Sequence, residues 1–191
     1  MSLELSLMET IELLNMHVAY IKNLKSFYVG KNVKYRLPNF PEDISENIAK
    51  HLICTLENLI CAREKKGGDL RTPDNKRIEV KCFSSCGPTS FGPNEKWDMI
   101  YFLDATDYDK GNFKLYRIAL SNTSEAFQQM PINKKETFAK QCSDKRRPRL
   151  AFKDIQKHLQ EHVNVVFDGN LHQLYTDLSL SSMLKTVSVT E

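Results

Sequence analysis

Apolar residues recur at alternating steps of four and three from the start of the chain: Leu7, Ile11, Leu14, Val18 and Ile21. That spacing lines one face of a helix spanning residues 3 to about 27. Such a stripe suits packing on the chain's own core better than pairing with a second copy. Residues 30–41 read as a connection ending in the breaker-rich Leu37-Pro38-Asn39-Phe40-Pro41. A second helix is predicted from about residue 44 to 63, with Ile44, Ile48, Leu52, Leu56, Leu59 and Ile60 buried and Asp43 as its N-cap.

After Lys65-Lys66-Gly67-Gly68 the apolar period shortens to that of strands. Asp69-Leu70-Arg71 and Arg77-Ile78-Glu79-Val80-Lys81-Cys82 flank Thr72-Pro73-Asp74-Asn75, which reads as a hairpin turn. A loop rich in Ser, Gly and Pro covers residues 84–93. Met99-Ile100-Tyr101-Phe102-Leu103 is nearly continuous in apolar character, so it reads as a strand buried on both faces. Further on, the pattern predicts a strand over 113–120, a short helix through 121–127, a basic and polar region over 133–149, a helix over 152–162 and a strand over 163–167. The tail after Leu171 carries no clear period. Two helices followed by strands with helices behind them imply a single α/β domain around a mixed central β-sheet.

At 191 residues, with 41% hydrophobic and 27% charged positions, the chain is long enough for one globular core and too short for two ordinary domains. Lys and Arg outnumber Asp and Glu by 27 to 24, an excess too small to argue for a nucleic-acid partner by itself. Five cysteines without dense, even spacing point to a reducing compartment, and Cys82 and Cys86 lack the second pair a structural zinc would need. No apolar stretch has transmembrane length, and the first residues carry acids where a signal peptide carries bases. A soluble, cytoplasmic protein is expected.

The candidate chemistry sits on the predicted hairpin. On a strand, Glu79 and Lys81 share a face while Val80 points to the other. The turn folds Asp69 back beside them, so two carboxylates and an ammonium converge. Phosphodiester hydrolysis near neutral pH needs that combination: oxygen ligands for Mg²⁺, and a lysine to orient or deprotonate the attacking water. Glu-x-Lys alone also describes a solvated cross-strand ion pair. Asp69 after a Gly pair, the hairpin spacing and the loop beyond tip the balance toward catalysis.

Gly68-Asp69 followed by Glu79-Val80-Lys81 in a second strand after a helix resembles the PD-(D/E)xK nuclease superfamily, specifically its type II restriction endonucleases. Gly68 stands where the family usually has Pro. The resemblance covers roughly residues 40–105, including Ser90-Phe91-Gly92-Pro93 and Trp97-Asp98-Met99-Ile100-Tyr101-Phe102-Leu103-Asp104. It implies a restriction-endonuclease-like fold, Asp69 and Glu79 as Mg²⁺ ligands with the Val80 carbonyl completing the shell, Lys81 as the water-positioning residue, and Mn²⁺ able to substitute. Many members also supply a Glu from the preceding helix; Glu46 is placed for that, and equally for a capping box with Asp43.

The resemblance further implies double-stranded DNA as substrate, cut at a short palindromic site by a homodimer, and a cognate DNA methyltransferase acting on the same site. The catalytic core is expected over about 40–120 and DNA recognition over about 121–150. Candidate DNA contacts are Ser84, Ser85, Thr89, Ser90 and Phe91 in the loop after the catalytic strand, although for Phe91, as for Trp97, cover of the core is the favoured reading. The basic stretch adds Lys134, Lys135, Lys140, Arg146, Arg147 and Arg149 for phosphates or guanine, and Gln141, with Gln128, Gln129 and Asn133, for adenine. His158 and His162, four apart, read as a solvated helix face. A structure-specific repair or recombination nuclease, or an inactive DNA-binding module on the same fold, are the alternatives.

Overall fold

Ser6 opens helix α1 (Leu7–Tyr28) with a reciprocal cap: its hydroxyl accepts from the Glu9 N–H at 3.2 Å, and the Glu9 carboxylate accepts from the Ser6 N–H at 2.7 Å. The computed structural model describes residues 4–64 and 69–187, and for residues 182–187 only the backbone. The first predicted residue of this helix, Leu3, and the Lys65–Gly68 turn with its Gly68 lie outside the described residues. Ile11, Leu14 and Ile21 are buried, and Leu7 and Val18 pack beside them. The predicted stripe is therefore spent on the chain's own core.

Helix α2 (Glu42–Leu56) is shorter than the apolar pattern suggests. It begins at Glu42 after Pro41, so Asp43 already lies in the first turn and no side chain caps it. At its far end Asn58 takes a left-handed φ of 52°, which breaks the helix. The chain then leaves in strand β1 (Ala62–Arg63), and Ile60, expected in the buried stripe, is 74% exposed. Glu57 ends the helix and accepts from both the Tyr101 hydroxyl and, at 2.5 Å, the Arg117 guanidinium. That tertiary anchor stops a pattern that periodicity alone would continue.

Strand β2 (Leu70–Arg71) and strand β3 (Arg77–Phe83) form the predicted hairpin, with Leu70 opposite Ile78 and Arg71 opposite Arg77. Its turn is held by Asn75 N–H to the Thr72 carbonyl at 2.9 Å, and Asn75 adopts a φ of 70°, a conformation Asn tolerates better than most residues. Strand β5 (Met99–Asp104) pairs parallel with β3. A parallel neighbour requires a crossover; here it is an irregular passage containing the short strand β4 (Thr89–Ser90). Strand β6 (Asn112–Ile118) and strand β8 (Val163–Asn170) extend the sheet antiparallel, giving the order β1-β2-β3-β5-β6-β8. Strand β7 (Arg149–Leu150) pairs with β4 in a separate two-stranded ribbon. The remaining helices are α3 (Glu125–Gln128), α4 (Phe138–Ser143), α5 (Phe152–His158) and α6 (Leu171–Val187). The last of these supplies the tail that showed no clear period.

The sheet separates two cores, and β5 feeds both by strict alternation. Tyr101 and Leu103 join Ile48, Leu52, Ile78, Val80 and Leu115 under α1 and α2. Ile100 and Phe102 face the other way, toward α3 to α5. There Phe91, Trp97, Phe127 and Phe138 interlock with ring centroids 5.2 to 6.4 Å apart, mostly edge to face. Burying each such ring contributes roughly 1.5–3 kcal/mol. Val80 belongs to the α1–α2 side, so Glu79 and Lys81 project from the opposite face of β3. The protein is a single α/β domain with a mixed central sheet flanked by helices, matching the restriction-endonuclease-like fold. No helix among the described residues is long and apolar enough to cross a membrane.

Candidate active site

The hairpin register places Asp69, one step beyond the Leu70–Ile78 pair, beside Glu79. Its Oδ2 accepts from the Val80 N–H at 2.6 Å. Lys81 donates from Nζ to Glu79 Oε1, and both side chains are largely buried. All three line a cleft of about 1500 Å³, which Glu46 of α2 also lines. A residue pair read as ambiguous in sequence, solvated or catalytic, is thus a buried ion pair at a cleft floor.

The charges distort one another. Burial, reinforced by Asp69 against the relief from Lys81, pushes the Glu79 carboxyl up to about 7. Burial also raises Asp69, although the Val80 N–H and Lys81 oppose it. Glu46 is raised by burial and then by Asp69, while Arg63 pulls it back. Burial acts to lower Lys81, but the carboxylates around it, Glu79 first, hold it above its ordinary value. Burial thus raises all three carboxyls, Glu79 to about 7, and perturbed acids clustered in a cleft mark functional sites.

Glu46 does not cap α2. It pairs with the Arg63 guanidinium, which also reaches Asp43 at 3.1 Å. The capping-box reading fails because the helix starts earlier than the motif suggested. Each carboxylate of the group is held by a donor of the chain itself: Glu79 by Lys81, Asp69 by an amide, Glu46 by Arg63. Accordingly, no three Asp, Glu, His or Cys side chains among the described residues stand grouped as an ion cage. The donor set nevertheless fits a hard divalent ion, being all oxygen, with Glu79 buried and under-neutralised.

The loop after β3 divides. Ser84 and Ser85 line the cleft. Thr89 also borders the cleft, but its hydroxyl is spent on the Leu150 carbonyl at 3.2 Å. Ser90 lines the cleft with a buried hydroxyl that has no hydrogen-bond partner among the described residues. Phe91 has no exposed surface, so it cannot wedge into a base step; it walls the aromatic core, with the Lys81 ammonium 5.9 Å above its ring centre.

The basic stretch divides too. Arg147 and Arg149 line the cleft, because β7 pairs with β4 and brings Arg149, with Arg147 just before it, to the wall. Arg146 is tied to Glu136 and, at 3.1 Å, to Asp144; Lys140 is tied to Asp144 at 2.6 Å. Gln141 is buried and donates to Glu136 at 2.9 Å, as Asn133 does at 2.8 Å. Gln128 donates to the Asn122 carbonyl. These polar side chains build the loop, and none of the four residues Lys134, Lys135, Lys140 and Arg146 lines the cleft. His158 and His162 are exposed. Sequence reasoning missed Arg36, Asn39 and Glu95, which also line the cleft. They come from irregular segments whose side-chain directions no period predicts.

A model of the Bsp6I restriction endonuclease family matches residues 9–159, which include the whole hairpin and both cleft walls. This chain belongs to that family. It is also similar to the type II restriction enzyme Bsp6I of Bacillus sp. (strain RFL6), with 35% identity over 124 residues, or 63% of this chain and 67% of the relative. The family is one of type II restriction enzymes, so the resemblance drawn from Asp69, Glu79 and Lys81 holds at family level.

Proposed function

We propose that this protein is a type II restriction endonuclease that hydrolyses double-stranded DNA at a short palindromic site, with Mg²⁺ and with Asp69, Glu79 and Lys81 as its catalytic group. The observation that carries the reading is the Lys81–Glu79 ion pair buried at the floor of a large cleft, with Asp69 tied to the amide between them. Burying such a pair costs desolvation that a surface pair avoids; a catalytic role explains why it is kept.

Asp69 and Glu79, with the Val80 carbonyl and Glu46, would hold the ion. Bound there, Mg²⁺ supplies Lewis-acid polarisation of the phosphate and a bound water of lowered pKa; Mn²⁺ is expected to substitute. Lys81 donates hydrogen bonds toward the attacking water and offsets negative charge developing on the phosphate. The aromatic wall at Phe91 keeps its ammonium from bulk solvent. Arg147, Arg149 and Arg36, all lining the cleft, meet the phosphate backbone or base edges. Residues 1–191 act as one nuclease domain, with the cleft side of β4–β7 as its recognition surface. A homodimer presents one centre to each strand of the site, and a methyltransferase of the same specificity protects host DNA.

The test is digestion of a fully sequenced plasmid with Mg²⁺, followed by mapping of the ends. Discrete fragments sharing one short palindrome are expected. Lys81→Ala should abolish cleavage while leaving DNA binding largely intact. Wild-type cutting by Lys81→Ala would dismiss the catalytic assignment, and plain duplex left uncut by the native protein would move the substrate to branched or mismatched DNA.

A further inference from the structure

Among the described residues two carboxylates stand within ion-pair distance of the Lys81 ammonium, Glu79 and Glu95, and only Glu79 belongs to the motif. Glu95, in the crossover after β4, places Oε2 3.6 Å from Lys81 Nζ. That oxygen is buried and accepts no hydrogen bond among the described residues. It is a vacant acceptor one short movement from a cation already bonded elsewhere.

The loop is built to keep it there. Asn122 donates to the Glu95 carbonyl at 2.7 Å, and the Glu95 N–H turns back to the Gly92 carbonyl at 3.3 Å. The Glu95 side chain then lies across Gly92. A Cβ at that position would stand 2.7 Å from Glu95 Cδ and 2.9 Å from Cγ, well inside van der Waals contact. Gly92 therefore leaves the space that Glu95 occupies.

We propose that Glu95 is a positioning residue for Lys81, the alternative acceptor that holds its ammonium in the cleft when Glu79 is engaged otherwise. The proposal rests on the endonuclease reading above. In the structure Glu79 serves Lys81. A Glu79 whose oxygens ligate an ion has less capacity to accept from Lys81, and a lysine released from it needs another anchor to stay directed at the reacting water. Glu95 is the neighbour within reach, and Phe91 closes the remaining side. Nothing in this role requires Glu95 to touch the ion or the DNA.

Two variants approach the contact independently. Glu95→Gln removes the charge and keeps the shape. Gly92→Ala leaves Glu95 intact but drives its flexible end away, at little cost to the fold because Gly92 has no left-handed backbone to strain. Each should lower kcat about tenfold, the lower end of what supporting contacts of a metal centre typically contribute. KM, DNA affinity in EDTA, Ca²⁺ affinity by calorimetry and the melting temperature of the metal-free protein should stay near wild type. The double variant should be no slower than the slower single one, since both break one contact.

Wild-type kcat in both variants overturns the proposal, as do multiplicative losses in the double variant. A weakened Ca²⁺ affinity in Glu95→Gln also overturns it, by making Glu95 a ligand instead. A native protein that cuts no DNA fails the endonuclease reading itself, a result read before any variant is compared.

Discussion

Glu79 carries the clearest physical signature of any single residue. Its carboxyl, raised to about 7 chiefly by burial, binds its proton more tightly in the folded protein than in the unfolded chain. Between its ordinary value near 4.5 and about 7, unfolding releases that proton, so stability from this group falls as pH rises and is at its lowest above 7. The metal-free protein should therefore melt at a lower temperature at pH 8 than at pH 5.5 as far as this group decides. Glu79→Gln should flatten that slope. Ca²⁺, which competes for the charged form, should raise the melting temperature more at pH 8 than at pH 5.5. Calorimetric scans at the two pH values test all three, and an equal Ca²⁺ shift at both would contradict the link between the raised carboxyl and ion binding.

At the scale of elements, the β4–β7 ribbon turns a basic stretch into a directed one. Four of the cations named from sequence in residues 134–149 do not line the cleft, two of them being spent on Glu136 and Asp144, whereas β7 and the residues leading into it bring Arg149 and Arg147 to its wall. Arg147→Ala and Arg149→Ala should each weaken DNA binding and lower the salt dependence of the affinity by about one unit of slope, as expected for losing one phosphate contact. A loss confined to the cognate sequence would instead assign that arginine to a base edge. Lys134→Ala and Lys135→Ala should leave affinity within a factor of about two, the span of an ordinary exposed substitution. Titrations at several salt concentrations separate the two groups.

At the scale of the whole molecule, the described residues of one chain offer a single candidate centre of this kind, and the proposed palindromic duplex has two scissile bonds. Sedimentation should find a species of twice the chain's mass, at least when bound to its site. A monomer that nicks one strand per encounter, with linear product appearing only after nicked circles accumulate, would remove the dimer from the proposed mechanism. The two cores also stand on opposite faces of one sheet, so the helices that pack it and the aromatic cluster that supports Lys81 belong to the same folding unit.

The parts of this protein legible in its sequence are those governed by local period and turn chemistry. The α1 stripe, the 69–81 hairpin with Asn75 in its turn, the doubly buried β5 and the facing of Glu79 and Lys81 follow from side-chain alternation, which the backbone imposes residue by residue. Tertiary structure alone decided that α2 stops at Leu56, since Glu57 is captured by Tyr101 and Arg117. It also set Glu46 against Arg63 in place of a cap, and chose two arginines from a run of similar cations. Those outcomes depend on which distant segments share a volume and which charges neutralise one another there. Distances of that kind, like the 3.6 Å from Glu95 to Lys81, are written in no spacing along the chain.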